Sequence, residues 1–194
     1  MKRSQRINLN KMRKLPEISS GQLAKVSIVV GGSTVLVGCG GADAFVYRTI
    51  SECELDHPSK VQHCELSYRR ALSEWNRTAP RFMSMKDCEY DFGYGECREQ
   101  NRRFSPVLAG FMLAQREDSD DIYDLDFDTP KPLGKSKSRS AYNKWVGANG
   151  VIFGDATGHR LKISRKQMRP LKGGARTLGR GGFGKIASSS SRGG

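Results

Sequence analysis

The side chains whose type and spacing could do chemistry are five cysteines and three histidines. Cys39 closes the run Leu36-Val37-Gly38-Cys39. Two aliphatic residues, a small one and a cysteine make the pattern of a lipobox. There the thiolate takes up diacylglycerol as a thioether, and the cleaved chain is then acylated, with palmitate for example, at its new N-terminus. The requirement for cysteine is chemical, because the thiolate is the nucleophile. The other four, Cys53, Cys64, Cys88 and Cys97, form an even set in a chain of this kind. In an oxidising compartment an even set reads as two disulfides. His57 and His63 lie between Cys53 and Cys64 and, with the cysteines, could ligate zinc in a reducing compartment. Export favours disulfides, so no metal site is assigned. His159 stands apart and reads as a solvated turn residue.

The segment that must position Cys39 is an export leader. Residues 1–25 carry seven Lys+Arg against one acid, Glu17, and Val26 to Val37 is a 12-residue apolar run. A transmembrane helix needs about 20 apolar residues, whereas a signal h-region is shorter. The mature chain would start at Cys39 and be held in the cell envelope on the periplasmic side. Gly40, where an aspartate would favour inner-membrane retention, points to the outer membrane. The alternative is a single-pass inner-membrane protein with the apolar run uncleaved.

An internal repeat surrounds the paired cysteines. Thr49-Ile50-Ser51-Glu52-Cys53 matches Ser84-Met85-Lys86-Asp87-Cys88, each starting with a hydroxyl and an acid three residues on. That is the signature of a capped helix start. His57-Pro58 ends the first short helix and Gly93 the second. The repeat favours Cys53–Cys64 and Cys88–Cys97, although four cysteines allow three connectivities. Ser59-Lys60-Val61-Gln62 reads as a further capping box, opening a helix to about Thr78. Its apolar face would be Val61, Cys64, Tyr68, Ala71, Leu72 and Trp75. Ser105-Pro106 predicts another helix, Val107 to Arg116.

The expected fold is mainly α. A 39–48 tether leads to a small disulfide-stapled helical body, 49–116. An acidic then basic linker, 117–141, and a short β hairpin, 142–164, follow. The expected end is a disordered Gly/Ser/Arg-rich tail, 165–194. Charge divides the chain in the same way. Residues 40–130 hold 11 Lys+Arg against 18 Asp+Glu, and residues 131–194 hold 15 against one. Such a tail could bind a polyanion, either lipopolysaccharide or nucleic acid, and Arg180-Gly181-Gly182-Phe183 has the form of an RGG patch. The export leader makes anionic envelope polymers or lipid headgroups the candidate partners and nucleic acid an unfavoured one. No Ser/His/Asp or Cys/His set has recognisable flanks. The glycine-rich 179–184 lacks the strand and GK[ST] of a phosphate loop, so no enzyme activity and no cofactor is read from the chain.

Several of these residues together resemble the YgiB/YjfM-like family of uncharacterised enterobacterial proteins. They are Val37-Gly38-Cys39, Arg77-Thr78-Ala79-Pro80, Gly95-Glu96-Cys97, Ala109-Gly110-Phe111-Met112 and Arg180-Gly181-Gly182-Phe183-Gly184. The resemblance implies an envelope protein with no assigned catalytic residues. This chain departs from the family in carrying EDSDDIYDLDFD over 117–128, where members have a Gly/Gln-rich segment.

Overall fold

Strand β1 (Ala42–Tyr47) is buried at all six positions, and its two faces serve two of the four apolar clusters. The computed structural model describes residues 41–190. The leader, Leu36, Val37, Gly38 and Cys39 lie outside the described residues. Because side chains alternate along a strand, Ala42, Ala44 and Val46 join one apolar cluster with Met112, Leu133 and Trp145. Phe45 and Tyr47 join the other, with Phe111, Leu113 and the first cystine.

The elements that follow are helix α1 (Ile50–Asp56), a 3-10 turn (Pro58–Lys60), α2 (Val61–Thr78), β2 (Arg81–Phe82), α3 (Met85–Phe92), β3 (Cys97–Gln100), β4 (Arg103–Pro106), β5 (Gly110–Ala114) and β6 (Lys131–Ser136). Then come β7 (Lys144–Val146), β8 (Ile152–Asp155), β9 (Arg160–Ile163), α4 (Arg165–Met168), β10 (Thr177–Leu178) and α5 (Gly182–Ser190). One antiparallel sheet has the order β8-β7-β6-β5-β1-β9. Its edge strands, β8 and β9, are consecutive in the chain and lie side by side, so the sheet curls into a nearly closed barrel. A second sheet has the order β10-β2-β4-β3. Its β3–β4 hairpin turns on Asn101 and Arg102, both at positive φ (54° and 58°), the backbone of a type I′ turn.

The repeat behaves locally as its sequence demands. Thr49 Oγ1 accepts from Glu52 N at 3.1 Å, and Ser84 Oγ accepts from Asp87 N at 3.2 Å. Helix α1 ends at His57 and α3 at Gly93. Cys53–Cys64 ties α1 to α2, and Cys88–Cys97 ties α3 to β3. Helix α2 turns Cys64, Ala71 and Trp75 inward. It starts from the 3-10 turn with no side-chain cap, so the Ser59 capping box does not form, and Val61 is exposed.

The expectation of a mainly α body is wrong: among the described residues ten strands form two sheets, and the helices pack their buried faces against them. The predicted helix 107–116 is strand β5, with Phe111, Met112 and Leu113 buried among neighbouring strands. A short apolar run fits a buried strand as well as a helix. The expected linker 117–141 contains β6, an interior strand, and within it Leu125 is buried and bridged to Gln115. The expected 142–164 hairpin is not a pair: β8 pairs with β7, and β9 with β1. The expected 39–48 tether contains β1. The expected disordered tail forms α4, β10 and α5 through residue 190, and buries Phe183 and Ala187 completely.

Candidate functional site

The two ends of β1 carry opposite chemistry. At its C-terminal end the three histidines of the chain pack against two rings, His57 and His159 on Tyr47 and His57 and His63 on Phe127. The end of α1 supplies His57, whose Nε2 lies 2.9 Å from the hydroxyl of buried Tyr47. The first turn of α2 supplies His63, edge-on to Phe127 at 5.8 Å, as His57 is at 5.3 Å. The β8–β9 turn supplies His159, 3.2 Å from Asp56 Oδ2 and edge-on to Tyr47 at 5.4 Å. His159 is therefore partnered and not merely solvated. Burial lowers the pKa of His57, with Asp56 opposing, and burial raises that of the Tyr47 phenol far above its usual range. Both groups are thus neutral at pH 7, with Tyr47 keeping its proton. A cleft of ≈ 330 Å³ opens beside His57 and His63, faced by Tyr123, Asp124 and Asp128. Tyr47 is fully buried, so of the Tyr47–His57 pair only His57 faces the cleft.

At the N-terminal end of β1 the chemistry is cationic. Asp43 is buried, and its carboxylate accepts from Arg160 Nε and Lys162 Nζ, both at 2.8 Å. The hydrogen bond from Arg160, then that from Lys162, holds its pKa at about 2. Arg165 donates to the carbonyls of Gln115 (3.0 Å) and Arg116 (3.4 Å), binding α4 to the end of β5. A cleft of ≈ 340 Å³ lies here, lined by Arg116, Arg165, Lys166 and Arg169, by Glu117 and Asp126, and by Met168. The segment is held from beneath by Lys131. That lysine is buried and donates to Glu74 Oε1 (3.4 Å) and to Arg169 O (2.8 Å). Burial lowers the Lys131 pKa and Glu74 opposes the shift.

The RGG-like motif is used inside the molecule. Asp91, fully buried on α3, accepts from Phe183 N at 3.3 Å and is held by the backbone amides of Gly184 and Gly181 as well. The start of α5 thus wraps a carboxylate, as N-terminal amides of helices do. Burial nevertheless raises the Asp91 pKa, and its Oδ1 has no hydrogen-bond partner. Arg180 stacks over the Tyr90 ring, 4.5 Å from its centroid. The Phe183 amide is therefore committed to α3, while that of Gly182 donates to Gly179 O at 2.9 Å.

Of the residues singled out from the sequence, Cys53, Cys64, Cys88 and Cys97 are all in disulfides and unavailable as thiolate ligands. Cys39 and the lipobox lie outside the described residues. Among the described residues, no group of three or more His, Cys, Asp or Glu could hold a metal ion, and no helix is long and apolar enough to cross a membrane. Sequence reasoning missed the buried charges at Asp43, Lys131 and Asp91. Asp91 had a signal: it shares the buried face of α3 with Cys88 and Phe92, where a carboxylate must find donors.

No solved structure matches this chain. A UPF0441 protein of Yersinia enterocolitica is 29% identical, covering 98% of this chain and 92% of the relative. One from Klebsiella pneumoniae is 28% identical with the same coverage. One from Serratia proteamaculans is 27% identical, over 95% of this chain and 90% of its own. The model of a family described as a protein of unknown function, DUF1190, matches residues 41–194, and the chain belongs to that family.

Proposed function

We propose that this is a lipid-anchored envelope protein of the YgiB/YjfM-like kind. It is acylated at Cys39, faces the periplasm from the outer membrane, and has a binding or structural role without catalysis. The observation that carries the reading is the pair of disulfides built into the core. All four cysteines are buried, and each bridge fixes a helix of the folded body. Such bridges persist in oxidising compartments, which is where a leader ending in Leu36-Val37-Gly38-Cys39 would deliver the chain.

The test is fractionation of the wild type and a Cys39→Ser variant in a native-like host. The wild type should pellet with membranes, resist salt extraction and dissolve in detergent. The variant should not be acylated, and the two proteins should differ in mass and in sorting to the outer membrane. Masses that both correspond to the uncleaved, unacylated chain and differ only by the sulfur-for-oxygen exchange, with the same distribution, would favour the single-pass alternative with residues 26–38 uncleaved.

A further inference from the structure

We infer that the basic cleft at the start of β1 takes the phosphate of an anionic phospholipid headgroup in the membrane that holds Cys39. The inference rests on the lipid-anchored reading and gives that reading a contact surface.

The placement follows from strand register. Ala42 stands opposite Ile163, and Gln115 N donates to Asp43 O, so the chain enters β1 level with the end of β5 and the start of α4. Cys39 is three residues before Ala42. Three extended residues reach at most ~11 Å, comparable to the screening length of ~8 Å at physiological ionic strength. An acyl chain on Cys39 therefore keeps this end of the barrel within electrostatic range of the bilayer surface.

The charge is of the right sign. Residues 160–176 hold seven Lys+Arg and no Asp or Glu. Lys166 and Arg169 are exposed at the cleft, and among the described residues neither is in an ion pair. The Arg165 guanidinium spends its donors on backbone carbonyls, which leave its charge uncompensated. Arg116 is the exception, paired with Asp118 and Asp124. The acidic stretch 117–128 brings two carboxylates, Glu117 and Asp126, into the lining of the cleft against its four cations, and carries Tyr123 and Leu125 on to the other face of β1. There Tyr123 packs on Phe45 at 5.6 Å and Leu125 enters that core cluster. Met168, by contrast, belongs to the Ala42 face. The cleft thus sets the unpaired Lys166 and Arg169 beside Ala114, Met168 and Pro170, with four cations against two carboxylates in its lining, which suits a phosphate attached to acyl chains. A cation near an anionic surface contributes about fivefold in partitioning.

The test reconstitutes the full, membrane-extracted protein into nanodiscs of phosphatidylcholine alone or with phosphatidylglycerol and follows amide hydrogen exchange. Residues 162–172 should exchange at least about fivefold more slowly on the anionic bilayer, with 50–64 unchanged. Salt near 0.5 M should erase the difference. The variant K166E/R169E should lose it while keeping wild-type exchange elsewhere. Equal exchange on both bilayers, or protection that survives the double variant, overturns the inference. So does equal protection from inorganic phosphate added to the phosphatidylcholine discs, since that marks a free-anion site. The intact mass of the same sample separates the two readings. Acylated protein without protection removes the cleft alone, whereas protein without acyl groups removes the anchor and the placement with it.

Discussion

The two stapled helices begin alike and end in different company. Helix α1 and helix α3 each start at a capping hydroxyl, carry a buried cysteine one turn in, and close an 11- or 9-residue separation to a second cysteine. The first bridge joins helix to helix over the Phe45 face of the barrel. The second joins helix to hairpin, and its helix also receives the C-terminal segment through Asp91 and Phe183, whose ring lies 4.7 Å from Phe92. Short-range sequence sets the cap and the cystine. What the helix does for the rest of the molecule depends on residues some ninety positions away.

The largest effect should come from cutting that long-range partner. Phe183→Ala removes a fully buried ring and should cost about 3–5 kcal/mol, read by denaturant unfolding, and should loosen residues 177–190 in hydrogen exchange with α1 unaffected. A loss below about 1 kcal/mol would mean the segment is not docked as described. Next are the staples. Chain-entropy arguments give each bridge about 3 kcal/mol, within a usual range of about 2–5, and predict near-equal costs for loops so similar in length. Replacing Cys88 and Cys97 together by Ser should exceed the Cys53/Cys64 pair, and only the former should raise exchange in α5. Equal costs with α5 protected in both would dissolve the distinction.

Titration sharpens the contrast between the α3 dock and the β1 end. Burial raises the Asp91 pKa above its unfolded value. The native state then binds the extra proton, and stability falls as pH rises through that window, above about 4. Asp43 is the reverse, with a folded pKa of about 2. Its contribution is present above the unfolded value near 4 and is lost as pH falls towards 2. Asp91→Asn should flatten the first dependence and Asp43→Asn the second, each measured as unfolding midpoint against pH. A slope that survives its own substitution would refute the assignment. The smallest effects belong to the caps: Thr49→Ala and Ser84→Ala should each cost about 1 kcal/mol. Thr49→Ala should be the milder, because Glu52 already accepts from Arg48 N at 2.6 Å.

These comparisons also mark where the sequence was legible. The caps and ends of α1 and α3 and the extent of α2 are short-range features and could be read from hydroxyl, proline, glycine and 3–4 spacing, although the Ser59 capping box was not one of them. The disulfides followed from cysteine count and repeat, with the local pairing preferred. The sheets were not legible. Lys131-Pro132-Leu133-Gly134-Lys135-Ser136 has a linker's composition, yet it is an interior strand, because Glu74 reaches Lys131 and Trp75 lies over Gly134. A Cβ at Gly134 would fall 2.7 Å from Trp75 Cη2, so glycine there is a packing requirement. The strand β5 was misread because Ser105-Pro106 imitates a helix start. The tail was misread because its glycines suggest flexibility, whereas their amides hold Asp91. The basic cleft and the buried charges alike arise from pairings that no local window contains.

The central claim is an exported, acylated and oxidised protein, and one measurement reaches all of it: intact mass of protein purified from membranes of a native-like host, with and without thiol alkylation under denaturing conditions. The account predicts a chain beginning at Cys39, heavier by its acyl groups, with Cys53, Cys64, Cys88 and Cys97 unreactive until reduced. A chain beginning at Met1, unacylated and taking up alkylating agent at all of its cysteines, would contradict it.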